Sequence, residues 1–189
     1  MRYLITANLE ESDLPRGVSP IARGGAISLE QPWPFGRVLI SRVEEGYETG
    51  VTKLNAIPNI VAFSVAGVAE PNNGAVFVFG AHIMKDLEGM KPYIEGVSPV
   101  IASYGCTYLA RSSTVSIHAG TFKPDRVAVM QFPSAAKVAA WYTGDAYAPL
   151  LAIRLRCTEA REVLVMAEGT VPDDVRDIIS SKVPGAHAV

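Results

Sequence analysis

Cysteine and histidine are scarce in this chain, with two and three respectively among 189 residues. Cys106 and Cys157 make neither a redox CxxC pair nor a metal-ligand spacing, so both read as buried small hydrophobes. His82, His118 and His187 show no HxH or HxxxH pattern, and no structural zinc is expected. There is no phosphate-binding glycine loop, GxSxG elbow, HExxH helix or dinucleotide fingerprint, so no cofactor is expected. Haem held by His82 or His118 is the one cofactor chemistry left open. No apolar run approaches the ~20 residues that cross a bilayer. The first residues, MRYLITANLEESDLP, carry acids at once and no small-residue cleavage site, which predicts a cytoplasmic protein with no membrane partner. Charge of one sign is also missing. Seventeen basic and nineteen acidic residues leave a net charge of -2, which gives no reason to expect nucleic acid.

What is present is apolar and strand-like. Hydrophobic residues make up 49% of the chain and charged residues 19%, ample for a packed core. Short alternating or apolar runs predict strands over Arg2 to Leu9, Ile21 to Ala22, Ala26 to Leu29, Arg37 to Val43 and Ile60 to Val68, then Ala75 to Met84 and Glu162 to Ala167. Between them, Tyr104 to Pro133 reads as two or three strands in succession. Prolines 15 and 20 leave room for only a turn where a first helix would stand. A helix is expected over Glu44 to Asn55. A second spans Asp86 to Tyr104, where Leu87, Met90, Ile94, Val97 and Ile101 share a face and Pro92 and Pro99 force a late start or a kink. Ser134 is an expected N-cap for a third, Ala146 to Cys157 forms a fourth piece, and Pro172 to Ser181 a C-terminal helix.

The chain also echoes itself. Ile21 to Val43 aligns with the stretch around Tyr104 to Pro133 with one gap, pairing Ala22-Arg23 with Ala110-Arg111, Gly24-Gly25 with Ser112-Ser113, Trp33 with Phe122 and Arg37-Val38 with Arg126-Val127. Such a repeat suggests one supersecondary unit used twice. The turn cluster Glu70-Pro71-Asn72-Asn73-Gly74 then separates 1–69 from 75–169, with a helix and tail at 170–189. In the second half the order is strand, helix, two strands, helix, strand, which is the split βαβ plan. The expected fold is α+β, with tandem ferredoxin-like repeats whose antiparallel sheets pack as a single-chain α/β barrel.

Tyr93, Tyr104-Gly105, Leu109-Ala110-Arg111, Gly120, Pro124, Arg126, Phe132-Pro133-Ser134, Ala139, Trp141-Tyr142 and Tyr147 together resemble the family known as domain of unknown function 1330, one of the dimeric α/β-barrel families. The resemblance spans Val76 to Gly169, and Ile21 to Val43 looks like that family's central hairpin in a degenerate copy. It implies the barrel fold, and since the family's activity is not established it implies no reaction. The usual Gly-Gly after the arginine is Ser112-Ser113 in the second half and Gly24-Gly25 in the first. The usual Glu-Gly is Ala119-Gly120 in the second half, whereas Glu30-Gln31 keeps the acid in the first. Each copy lacks something the other keeps.

Candidate chemistry follows from the residues that a half-buried sheet should not hold. Arg111, Arg126 and their counterparts Arg23 and Arg37 each require a carboxylate or an anionic ligand. Either a structural ion pair or a substrate oxyanion satisfies that need, and a guanidinium fork suits the latter. His118 and His82 are candidate acids or bases, as is Glu30 if burial raises its pKa, with Arg111 to stabilise oxyanion charge. Arg23, Arg126, Tyr93, Tyr104, Trp141 and Tyr142 are the expected binding residues; the aromatics are either core or the wall of a cleft. With these groups, likeness of the expected fold to other α/β-barrel proteins suggests a cofactor-independent enzyme on a small carbonyl or aromatic molecule, an isomerase, cyclase or lyase driven by proton transfer. A cofactor-free monooxygenase on a phenolic substrate and a non-catalytic ligand-binding or interaction protein are the alternatives. A homodimer is compatible with all three.

Overall fold

The computed structural model describes residues 1–24, 26–30, 32–72, 76–167, 171–183 and 186–188. Gly25, Gln31, Asn73, Gly74, Ala75 and Gly169, each part of an expectation above, lie outside the described residues.

The strands are β1 (Arg2–Ala7), β2 (Val18–Gly24), β3 (Ala26–Ser28), β4 (Val38–Val43), β5 (Val61–Gly67), β6 (Val76–Met84), β7 (Thr107–Ala119), β8 (Arg126–Phe132), β9 (Thr158–Met166) and β10 (His187–Ala188). All pair antiparallel in one sheet of order β10-β3-β9-β6-β8-β7-β5-β1-β4-β2. Because β2 lies at one end of that order and β3, one residue further along the chain, near the other, the sheet must curl until its ends approach. The result is an α+β fold built on a barrel-like sheet.

Strand order within the halves is informative. Taking β6, β7, β8 and β9 as first to fourth, the C-terminal half runs fourth-first-third-second. The N-terminal half, with β1, β2, β4 and β5, has the same order. Register agrees as well: Arg23 faces Leu39 across β2–β4 and Arg111 faces Ala128 across β7–β8, which are equivalent pairs under the sequence echo. The two halves share the sheet. The first part of β7 pairs with β8 and its second part with β5, and β3 pairs with β9.

Alternation along each strand sends side chains to two faces. Inside the curl, Tyr3, Ile5, Phe63, Phe77, Phe79, Val127, Val129 and Val163 form a closed apolar core. Trp33 and Phe122, the aromatics aligned by the echo, pack edge-to-face there with ring centroids 5.7 Å apart. The barrel interior is therefore filled, as in small barrels generally. Gly120 closes the loop after β7 at φ +84, where a Cβ would stand 2.6 Å from the Ile60 carbonyl oxygen.

Outside, the halves differ. The N-terminal half offers only a single 3-10 turn at Glu11–Asp13, as Pro15 dictates, and the short α1 (Glu48–Val51) continued as 3-10 through Ala56. The expected helix over Glu44 to Asn55 thus starts late, Gly46 sitting at φ +86 in the turn before it. The C-terminal half carries α2 (Lys91–Ser103), α3 (Ala135–Tyr142), α4 (Ala148–Cys157) and α5 (Asp173–Lys182). Helix α2 begins beside Pro92, whose missing amide costs nothing in a first turn. Leu87 consequently precedes the helix and is exposed. Met90, Tyr93, Val97 and Ile101 bury one side of α2 against the sheet. Ser134 caps α3 by accepting from the Lys137 amide. No described helix is long and apolar enough to cross a membrane.

Candidate functional site

Between α2 and the outer face of the C-terminal sheet lies a cavity of about 270 Å³. Strand alternation explains its chemistry. On β6 the outward series is Val76, Val78, Gly80, His82, and on β9 it is Ala160, Glu162, Leu164. Gly80 and Glu162 are ladder partners, and His82 faces Arg126 on β8. A histidine, an acid and an arginine thus meet on one face. Tyr93, Ile94 and Val97 of α2 cover them from above, and Tyr108 and Arg111 of β7 form one side.

His82 Nε2 and Glu162 Oε1 are 3.1 Å apart, both side chains more than nine-tenths buried. Burial alone would raise the Glu162 pKa. Arg154 beside it and the His82 bond outweigh this and hold the carboxyl below its ordinary value. An ionised Glu162 can only accept, so His82 donates to it from Nε2, and Nδ1 has no described protein partner. Gly80 provides the room. A Cβ there would stand 2.6 Å from Glu162 Oε1.

Behind the pair lies a buried charge network. Arg154 of α4 is fully buried; Nη1 is 3.0 Å from Glu162 Oε1 and Nη2 bonds Glu30 Oε1, to which the Tyr142 hydroxyl also donates. Two acids thus share one buried guanidinium. Burial and the surrounding acids keep the Tyr93, Tyr142 and Tyr147 phenols neutral, well above the ordinary value near 10.

The positive side of the cavity is at its mouth. Arg111 is committed in part: it donates to the Ser98 hydroxyl and, at 2.8 Å, to the Ile94 carbonyl of α2, and lies 5.4 Å over the Tyr108 ring. Arg126 makes no ion pair or hydrogen bond among the described residues, yet it lines both the cavity and a shallower groove of about 460 Å³ that continues outward past Ser113 and Leu87.

His82, Arg111, Arg126 and Tyr93, all expected at a site, are therefore brought together. The other candidates lie elsewhere. His118 receives or donates a 2.8 Å bond with Ser64 Oγ beside Arg2, and burial and then Arg2 lower its pKa. The void there, about 20 Å³, holds no substrate. Arg23 forms an exposed ion pair with Glu11 at 3.1 Å, and Arg37 one with Glu10 at 3.2 Å. Glu30 does not line the cavity and serves it through Arg154. Tyr142 is bonded to Glu30 rather than open to a ligand. Tyr104 packs its hydroxyl against Gly144, and Trp141 stacks on Phe132 at 5.2 Å in the core. Glu162 and Arg154 were not expected as site residues. The signal was available for Arg154, because Tyr147, Leu151, Arg154 and Cys157 fall on one helical face, and an arginine on such a face requires acids.

Residues 75–168 match the family described as Domain of unknown function (DUF1330), so the half that holds the cavity carries that family's pattern. A crystal structure from Lactobacillus acidophilus NCFM, of a protein provisionally named a monooxygenase, covers 100% of this chain and 98% of its own, with 9% identity and a TM-score of 0.46. No curated protein matches the chain.

Proposed function

We propose that this protein is a cofactor-independent enzyme that moves a proton on a small organic molecule held between α2 and the sheet. One observation carries the reading: a buried His82–Glu162 pair in a cavity whose mouth holds Arg126, unpaired among the described residues. His82 Nδ1 removes a proton from a carbon acid or hydroxyl. The imidazolium so formed is stabilised by Glu162. Arg126, with the free donor of Arg111, meets the developing oxyanion at the partly desolvated mouth of the cavity. A binding protein needs neither the buried acid on the histidine nor the charge network fixing it, and this favours the enzyme over the non-catalytic reading.

The same proposal takes the two halves as unequal copies of one ferredoxin-like unit. Their common strand order, matching register and touching Trp33 and Phe122 support it. In that reading the N-terminal copy gave up its first helix, and with it the space for a cavity, and contributes Glu30 to the site of the other.

The test is proton exchange in D2O with a panel of ketones, 2-oxo acids, 1,3-dicarbonyls and phenols, followed by loss of the C–H signal in NMR. Wild type should catalyse exchange on one class. His82→Gln, which keeps a donor to Glu162, should lose roughly 10²- to 10⁴-fold. Equal exchange by both proteins refutes the assignment, and oxygen uptake with a phenol would move it to monooxygenation.

A further inference from the structure

Resting on that reading of the cavity, we infer that its ligand is an apolar carboxylate of about one ring, seated with its ring inward and its carboxylate on Arg126 at the mouth. Three independent features of the cavity converge on this class.

Charge comes first. Glu162 is engaged by both Arg154 and His82, whereas among the described residues Arg126 has no counter-ion and Arg111 has only neutral partners, a hydroxyl, a carbonyl and the Tyr108 ring. The mouth carries uncompensated positive charge in partly desolvated surroundings, which a bound anion removes. A guanidinium with all its donors free is well shaped for a two-oxygen acid.

Wall chemistry comes second. Away from the arginines the lining is Met90, Tyr93, Val97, Tyr108 and Met130, with polarizable sulfur and ring faces of the kind that hold an aryl or branched alkyl group. The Tyr93 and Tyr108 phenols are held neutral by burial first of all, so they place no phenolate against the ligand's carboxylate. Volume comes third: 270 Å³ is about nine water-sized groups at ~30 Å³ each, on the scale of one ring with a short acidic arm and far below a nucleotide.

Register then fixes the orientation. His82 and Arg126 are directly opposed on one sheet face, with Cβ atoms of such pairs about 5 Å apart. A carboxylate on Arg126 therefore brings the adjoining carbon to His82. Where that carbon is next to a carbonyl, its C–H bond breaks toward Nδ1 and the electron pair passes to the carbonyl oxygen. The same proton returns to carbon or to that oxygen, so no co-reactant is needed.

The experiment is calorimetric titration of the full chain with 3-phenylpropanoate and with its neutral amide, in wild type, Arg126→Gln and His82→Gln. Wild type should prefer the acid by roughly 10- to 100-fold, the worth of a charge-assisted contact. His82→Gln should keep that preference and Arg126→Gln should erase it while still binding the amide. Equal binding of acid and amide by wild type, or a preference that survives Arg126→Gln, overturns the ligand class. Proton exchange lost in His82→Gln alongside that result leaves the acid–base reading standing; a preference for the acid without any exchange leaves the ligand class and removes the enzyme.

Discussion

Replacing Arg154 by methionine tests the network more sharply than any change at the cavity wall. The side chain is fully buried, and its two arms meet Glu30 and Glu162, themselves 7% and 2% exposed. Methionine fills much of the same volume, so little of the effect is a cavity. What remains is electrostatic: two buried carboxylates lose their common counter-ion. Breaking a buried pair by removing one partner costs about 3–5 kcal/mol. For a chain of this size ~1 kcal/mol moves Tm by about 2–4 °C, so a fall of roughly 6–20 °C is expected in a thermal melt. A stability loss by itself shows only that Arg154 is buried, so the cycle with Glu30→Gln is the informative measurement. With one acid already neutral, Arg154→Met removes a charge from a smaller imbalance. The double variant should be more stable than the sum of the singles by about 1–3 kcal/mol. Additive effects, or a single variant within about 1 kcal/mol of wild type at pH 7, would falsify the picture of one guanidinium holding two ionised acids.

Two other perturbations reach the site from different directions. Gly80→Ala puts a methyl group 2.6 Å from Glu162 Oε1 and must displace the carboxylate from His82; exchange activity should fall at least about tenfold with unchanged ligand preference, and unchanged activity would show that the Glu162 contact is dispensable. Burial holds Tyr93, Tyr108, Tyr142 and Tyr147 well above the ordinary phenol value and Tyr3 up to about 12. Their protons stay on in the fold and leave near pH 10 once it opens, so this stabilisation is whole below about pH 10 and is lost as pH rises beyond it. In an absorbance titration these five of the seven tyrosines should ionise together with the loss of circular dichroism; independent ionisation in the folded chain would contradict their burial.

Strands were the most legible part of the chain because alternation is a physical consequence of having two faces. Where it weakened, expectation slipped: β9 begins at Thr158, not Glu162, since Arg161 and Glu159 interrupt the apolar run without leaving the ladder. The curl of the sheet was readable only through the echo, as closure depends on two strands close in sequence, β2 and β3, lying toward opposite ends of the sheet. Site residues divide along the same line. His82, Arg111 and Arg126 betray themselves locally, each being a polar group in a strand with an apolar side. Glu30 does not, because what makes it matter is a partner 124 positions away, and Arg154 shows itself only through the apolar helical face it shares with Tyr147, Leu151 and Cys157. Glu30 illustrates the difference: expected as a base on its own hairpin, it is bonded to a buried arginine and to the Tyr142 hydroxyl of the other half. Its place follows from geometry across the two halves. Arg154 reaches Glu30 with one nitrogen and Glu162 with the other, and Glu162 in turn bonds His82. The acid supplied by the half without a cavity thereby helps to fix the guanidinium that holds Glu162 against the histidine in the half that has one.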